Sequence, residues 1–400
     1  MSRLSKHLCL ILLCAVASTL IGCGRSRDSN TVERLRQSVD AGWSAYKDQH
    51  GIPSGGLAVY MDTPSGIYFV SSGMPAGVDR NTHFRVASNT KTFTAAAVML
   101  LHQQGKLRID DTIVSNIPGR TEPYVPNTAA YDIPNKGHIT IRQLLGHTAG
   151  VFDVTNKDIP DTCAAPYAGK NYLDYIRRDL GDNDHQFTFD ELVGVAANCH
   201  ISEPFDPGAG YHYSNTGYSI LGKIIERVAG ISYQDFIVDN LVTPNTLSST
   251  SVPVLSSDKT IPSSYVDGFV FDNGALLPWT LDNMSGNIAE GNIISTPADL
   301  SRWVRRLIDS KAGIDKSYID MMTAMSDVSG SNYGLGIMYR SGLGYGHNGA
   351  HAGYLSLMMY DPADGVSIVL FFNVLDTNIG SQMALLWKVA EDAKKVLGYL

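Results

Sequence analysis

Three pairs of polar residues in this chain have the types and spacing to do chemistry. The first is in "FRVASNTKTFTAAAVMLLHQQGKL", residues 84–107, where Ser88 stands three positions before Lys91. Residues three apart on a helix share a face, with Cβ atoms about 5–6 Å apart, so hydroxyl and amine meet. A Ser hydroxyl becomes a nucleophile once a base takes its proton, and a Lys does that only when burial or nearby charge keeps it neutral. The free N–H groups of a helix start would stabilise the resulting oxyanion. The same four residues also read as an ordinary helix start. A second Ser-x-x-Lys, Ser44 to Lys47, reads as an exposed pair on an amphipathic helix; the Ser88 copy differs because its Lys leads into an apolar segment.

The second pair is Tyr213 and Asn215, in "FDPGAGYHYSNTGYSILGKIIERVAG". A Tyr phenol exchanges a proton if cations depress its pKa, and an Asn amide both donates to a carbonyl and accepts from a Lys. Alternatively Tyr213 packs and Asn215 caps the following helix. The third, in "GYGHNGAHAGYLSLMMY", is His347-Asn348-Gly349 at the start of a strand, where Gly lets a substrate backbone lie close. Its plainer reading is a polar, Gly-rich turn.

The elements that must carry these residues are legible in outline. Residues 31–50 read as an amphipathic helix and "GGLAVYMDTPSGIYFVSSG" as two strands around a turn. A helix is expected from about Ser88 to Gln104, ended by Gly105. The stretch from about 109 to 285 mixes short helices with Pro/Gly-rich loops. "YLSLMMY" and "VSIVLFFNV" then form a hairpin around Asp361–Gly365, and a final helix covers about 380–395. The expected fold class is α/β of the α+β type: an antiparallel sheet formed by both chain ends and flanked by helices, with a mostly helical inserted subdomain. The sheet part is expected at about 31–87 and 286–400 and the helical part at about 88–285.

Composition narrows the partners. The chain has 400 residues, 44% of them hydrophobic and 18% charged, with a net charge of −8 and no basic run, which excludes nucleic acid as a partner. The start, "MSRLSKHLCLILLCAVASTLIGC", has the basic residues, short apolar core and small residues of a secretory signal, assigned to residues 1–22. Leu20-Ile21-Gly22-Cys23 looks like a bacterial lipoprotein box, in which Cys23 becomes the lipidated first residue, followed by a linker to residue 30. An ordinary signal peptide or an uncleaved anchor is the alternative. The expected location is the bacterial cell envelope, with the membrane reached through the lipid; Gly24 after the Cys points to the outer membrane if the cell is Gram-negative. No later segment is apolar for eighteen residues. Cys163 and Cys199 are the two Cys beyond the leader, and export places them where a pair bonds, contributing roughly 3–4 kcal/mol. No HExxH or comparable cluster appears, so neither a metal nor another cofactor is expected.

Taken in order along the chain, Ser-x-x-Lys, Tyr-x-Asn and His-x-Gly resemble the motifs of the penicillin-recognising serine hydrolases, as do "ITIRQLLGHTAG" and "GNIISTPADLSRW". The Tyr of the second motif is similar to the branch holding class C β-lactamases, D-alanyl-D-alanine carboxypeptidases of the Streptomyces type, D-aminopeptidases and some esterases. The resemblance implies a β-lactamase/transpeptidase-like fold over residues 31–400 and an acyl-enzyme on Ser88, with Lys91 and Tyr213 as one coupled proton shuttle. It also implies substrate contacts from Asn215, His347, Asn348 and Gly349, and an oxyanion hole from the backbone N–H groups of Ser88 and Ala350. Substrates would be D-amino-acid or cell-wall peptides, and β-lactams would acylate the same Ser. The family's lactamases carry Lys where this chain has His347, which favours a peptidase over a β-lactamase; an esterase and a non-catalytic binder of wall fragments are the rivals. One departure bears on a carboxypeptidase reading: Asn348 and Ala350 replace the hydroxyls that hold a terminal carboxylate, Met338 takes the place of an Arg, and Arg340 is displaced along the strand. His351 has no family role, His147 is expected to bond backbone at a helix end, and Trp43, Trp279, Trp303 and Trp387 are read as core.

Overall fold

The computed structural model describes residues 29–328 and 331–400. Cys23, its lipidation box and the signal segment lie outside the described residues. The main element is a six-stranded antiparallel sheet in the order β2-β1-β10-β9-β8-β7. Its strands are β1 (Leu57–Thr63), β2 (Gly66–Ser72), β7 (Met338–Arg340), β8 (Gly344–His351), β9 (Tyr354–Asp361) and β10 (Val366–Phe372). Both ends of the chain therefore build one sheet, and helices cover both of its faces.

Strand periodicity explains why β9 and β10 are apolar along most of their length, with Ser356 and Ser367 the polar residues inside them. Successive side chains point to opposite faces, and here both faces are buried. Leu355, Leu357 and Met359 of β9 join Ile368, Leu370 and Phe372 of β10 against α1 (Ser29–His50) and the helix Ile379–Val396, through Leu35, Val39, Trp43, Leu386 and Val389. The alternate residues, Tyr354, Met358, Val369 and Phe371, face the second core with Phe93 and Trp303. Asp361 closes the β9–β10 turn by accepting from the Ala363 N–H at 3.0 Å, while Gly365 takes the left-handed conformation at φ 70°.

On that second face lies α2 (Thr90–Gln103), buried along every residue from Thr90 to Leu101. Phe93 stacks on Trp303 with ring centroids 4.1 Å apart, and the Trp303 indole N–H donates to Thr92 Oγ1 at 2.8 Å. The α-helix begins two residues later than expected. Ala87 sits at φ 51°, outside right-handed space, so Ala87–Asn89 form a single 3₁₀ turn that presents Ser88 before the helix proper.

A second departure lies within 109–285, which contains a hairpin. β4 (Phe269–Asp272) and β5 (Ala275–Pro278) pair antiparallel, and β11 (Val374–Asp376) adds to β4 in parallel. The turn residues Asn273 and Gly274 both have positive φ, 47° and 82°, the geometry that an Asn-Gly hairpin turn adopts. A two-stranded ribbon, β3 (Phe84–Arg85) with β6 (Ile294–Ser295), ties the chain just before Ser88 to the segment after Glu290. Cys163 and Cys199 are disulfide-bonded, with Cα atoms 4.9 Å apart, and fasten a long loop to the end of the helix Phe189–Asn198.

Candidate active site

Ser88, Lys91, Tyr213, Asn215 and His347 come together from three places in the chain. Lys91 is fully buried, and its Nζ donates to Asn215 Oδ1 at 2.7 Å, to the Glu290 carbonyl at 2.9 Å and to Ser88 Oγ at 3.1 Å. The Glu290 carboxylate stands 3.4 Å away. Tyr213 hydrogen-bonds Ser88 through its hydroxyl, and the Lys91 ammonium lies 4.8 Å from its ring centroid. Ser88, Tyr213, Asn215, His347, Asn348 and Ala350 all line one cavity of about 700 Å³, with Lys91 behind its wall.

Local structure accounts for each placement. Ser214, not Asn215, caps the helix Asn215–Ala229, its side chain accepting from the Gly217 N–H. That leaves the Asn215 amide free to accept from Lys91 and to donate to Thr155 Oγ1 at 2.9 Å. His147, itself at φ 58°, accepts the Ser214 N–H on Nδ1 at 3.1 Å, and its ring lies 4.2 Å from that of Tyr213. It does bond backbone at a helix end, that of Ser214, the cap residue that follows Tyr213. Gly349 serves a different purpose from the one expected. A Cβ there would lie 2.3 Å from the Val86 carbonyl oxygen and 2.9 Å from Ser88 N, so the bare glycine lets β8 press against the turn bearing Ser88 rather than making room for a substrate. Asn348 reaches Met383 Sδ at 3.6 Å from the cavity wall.

Burial sets the protonation states. It pushes the Lys91 ammonium below its ordinary pKa, an effect the Glu290 carboxylate opposes. It pushes the Tyr213 phenol well above its ordinary value, so Tyr213 rests protonated and is not the cation-depressed phenol that the sequence allowed. His347 is lowered to about 3, by burial first and Lys91 second, so it is neutral at physiological pH and brings no charge to the site. Its Nδ1 lies 2.5 Å from the Asn348 carbonyl and must donate, which leaves Nε2 to accept from the Tyr333 hydroxyl at 2.9 Å.

A buried neutral imidazole has a stability consequence. The unfolded chain takes up the proton near pH 6.5 and the folded one only near 3, so His347 leaves stability intact above about pH 6.5 and erodes it as pH falls toward 3. By pH 5 the expected loss from this residue is about 2 kcal/mol. Urea midpoints at pH 7.5 and pH 5 should differ less in His347→Asn than in wild type; equal differences would show that His347 is not held neutral.

Several residues here were not foreseen. Glu290 is the one charged residue between Met284 and Ser295, and a lone carboxylate in an uncharged stretch was the available signal. Tyr333 gave none. Trp279 lines the cavity instead of the core, donating its indole N–H to Asp282 Oδ2 at 3.1 Å. His351, 2.8 Å from the same carboxylate, is mostly buried beside it. Arg340 turns away onto Glu391, at 2.8 Å, and stacks over Trp387 at 4.7 Å. The two Arg that do line the cavity, Arg177 and Arg178, stand 3.5 Å from Asp282 and 3.3 Å from Asp174.

Sheet, helices and the Ser-Lys-Tyr cluster, with its Lys buried behind the cavity wall, define the class as an α+β protein of β-lactamase/transpeptidase type. The family model described as Beta-lactamase matches residues 34–388, and the chain belongs to that family of serine hydrolases. It is similar to penicillin-binding protein 4* of Bacillus subtilis, 27% identical over 70% of this chain and 58% of that protein's length. It is also similar to penicillin-binding protein 4 of Amycolatopsis lactamdurans, 26% identical over 83% of each. Among solved structures, the D-stereospecific amidohydrolase of a Streptomyces species superposes with a TM-score of 0.69 at 25% identity, covering 86% of this chain and 94% of that one. The D-amino acid amidase of Ochrobactrum anthropi shares the fold, with a TM-score of 0.70 at 23% identity over 93% and 98% of the two chains.

Proposed function

We propose that this protein is an exported serine hydrolase that cleaves amide bonds next to D-amino acids through an acyl-enzyme on Ser88. The observation that carries the reading is the buried Lys91, within 3.1 Å of Ser88 Oγ and held by Asn215. Burial favours its neutral amine, so Lys91 takes the Ser88 proton and Oγ attacks the substrate carbonyl carbon. The backbone N–H groups of Ser88 and Ala350 stabilise the oxyanion, a contribution of about 2.7–4 kcal/mol for one such donor. Tyr213 gives its proton to the leaving nitrogen and recovers one from Lys91, so the C–N bond breaks and the amine departs neutral. His347 acts as a neutral partner that aligns Tyr333.

The D-stereospecific amidohydrolase and the penicillin-binding relatives support D-amino-acid amides or cell-wall peptides as substrates, with β-lactams as acylating ligands of Ser88. An amidase or aminopeptidase fits better than a D-Ala-D-Ala carboxypeptidase. Arg340 is engaged by Glu391, and Arg177 and Arg178 each face a carboxylate, so a free substrate carboxylate meets no uncompensated cation among them. The leader and Cys23 support a lipid-anchored place in the cell envelope. The test is a panel of D- and L-alanine and phenylalanine p-nitroanilides, D-Ala-D-Ala peptides, p-nitrophenyl esters and nitrocefin. The D-anilides are expected to turn over at least about tenfold faster than their L-forms, about 1.4 kcal/mol of discrimination. Ester hydrolysis without amide cleavage would replace this reading with an esterase.

A further inference from the structure

The acylation steps above make no use of the Glu290 side chain. Glu290 is buried, lines the cavity, and sets its Oε2 3.4 Å from Lys91 Nζ. Its Oε1 accepts from Asn287 Nδ2 at 2.6 Å. Asn287 also lines the cavity, and its Oδ1 is buried with no donor among the described residues. Buried acceptors are satisfied as a rule, and water is the partner a polar cavity offers. We propose that Glu290 and Asn287 bind the water that releases the acyl group from Ser88, with the Glu290 carboxylate as its base, an assignment that rests on the acyl-enzyme reading above.

Geometry gives this step its own proton path. Glu290 Oε2 and Ser88 Oγ both lie beside Lys91 Nζ, at 3.4 and 3.1 Å. Glu290 takes a proton from water as the water oxygen bonds to the acyl carbon. Glu290 then passes that proton to the neutral Lys91 amine, and Lys91 passes one to Oγ as the carbon–Oγ bond breaks. The products are a free carboxylic acid and the starting enzyme, with no external acid or base. Burial raises the Glu290 pKa above the ordinary carboxylate range, although Lys91 counters it, which makes the carboxylate a better base than an exposed one. Acylation and deacylation thus divide between Tyr213 on one side of Lys91 and Glu290 on the other.

The test separates the two half-reactions in the full-length protein. With a D-amino-acid p-nitrophenyl ester in stopped flow, Glu290→Gln is expected to keep the burst rate within about threefold while steady-state turnover falls about 100-fold, the lower range for losing a general base. Intact-mass spectrometry should then show the acyl adduct accumulating. Burst and turnover falling together would overturn the assignment, leaving Glu290 as a support for Lys91, and so would an unchanged variant. Asn287→Leu removes the water's acceptor together with the Nδ2 hydrogen bond to Glu290 but leaves the carboxylate in place, and it must show the same split; it carries the test if Glu290→Gln does not fold. Ser88→Ala run alongside distinguishes failure of this proposal from failure of the acyl-enzyme itself, since only the latter leaves turnover in that variant.

Discussion

Ser88→Ala is expected to lower kcat/KM on a D-amino-acid anilide by about 10⁴-fold or more, the scale seen when a nucleophile acting in a unit is removed. The substitution deletes one hydroxyl from a turn whose backbone is held elsewhere. Lys91 keeps its Asn215 and Glu290 carbonyl acceptors, and the 3₁₀ turn keeps its position under β8. The variant should therefore melt close to wild type, and the loss belongs to chemistry rather than folding. Retained turnover with an intact melt would show that another group attacks the substrate.

Gly349→Ala should have the next largest effect, and for a packing reason. The new methyl would stand 2.3 Å from the Val86 carbonyl oxygen and 2.9 Å from both Ala87 Cβ and Ser88 N. None of these can yield easily. Asn89 Nδ2 donates to the Val86 carbonyl at 2.9 Å, and Ser356 Oγ donates to it at 3.0 Å, fixing the strand-to-turn junction. Overpacking of this kind costs about 1–3 kcal/mol. Displacing the nucleophile by about 1 Å lowers the rate about 100-fold. Thermal denaturation and single-turnover acylation should thus both change, and a variant indistinguishable from wild type in both would mean that this contact does not set the position of Ser88.

The two predictions mark where reading the chain succeeds and where it stops. Ser88 and Lys91 were legible because their meeting is local, three residues along one turn. Tyr213, Asn215 and His347 were legible because their short motifs fall in a family order, and the β9–β10 hairpin because its residues alternate between two buried faces. Contacts made only by tertiary folding were not legible. Glu290 reaches Lys91 because β6 pairs with β3 and brings residues 290 and 91 together, and no local pattern announces that pairing. The Asn273-Gly274 turn carried a hairpin signal but lay in a region whose other elements are helical. Protonation followed the same divide. A His reads from sequence as a group titrating near 6.5, whereas burial beside Lys91 takes His347 to about 3 and changes its part from cation to neutral hydrogen-bond partner. The side-chain direction of Arg340 also depended on a distant residue, Glu391.

The central claim is that Ser88 carries a covalent acyl group, and the most direct measurement is intact-mass spectrometry of the protein after brief exposure to a fluorescent penicillin, followed by peptide mapping. The account predicts a single adduct of the opened β-lactam on the peptide containing Ser88, absent from Ser88→Ala. An adduct on any other residue, or hydrolysis of the reagent that persists in Ser88→Ala, would contradict it.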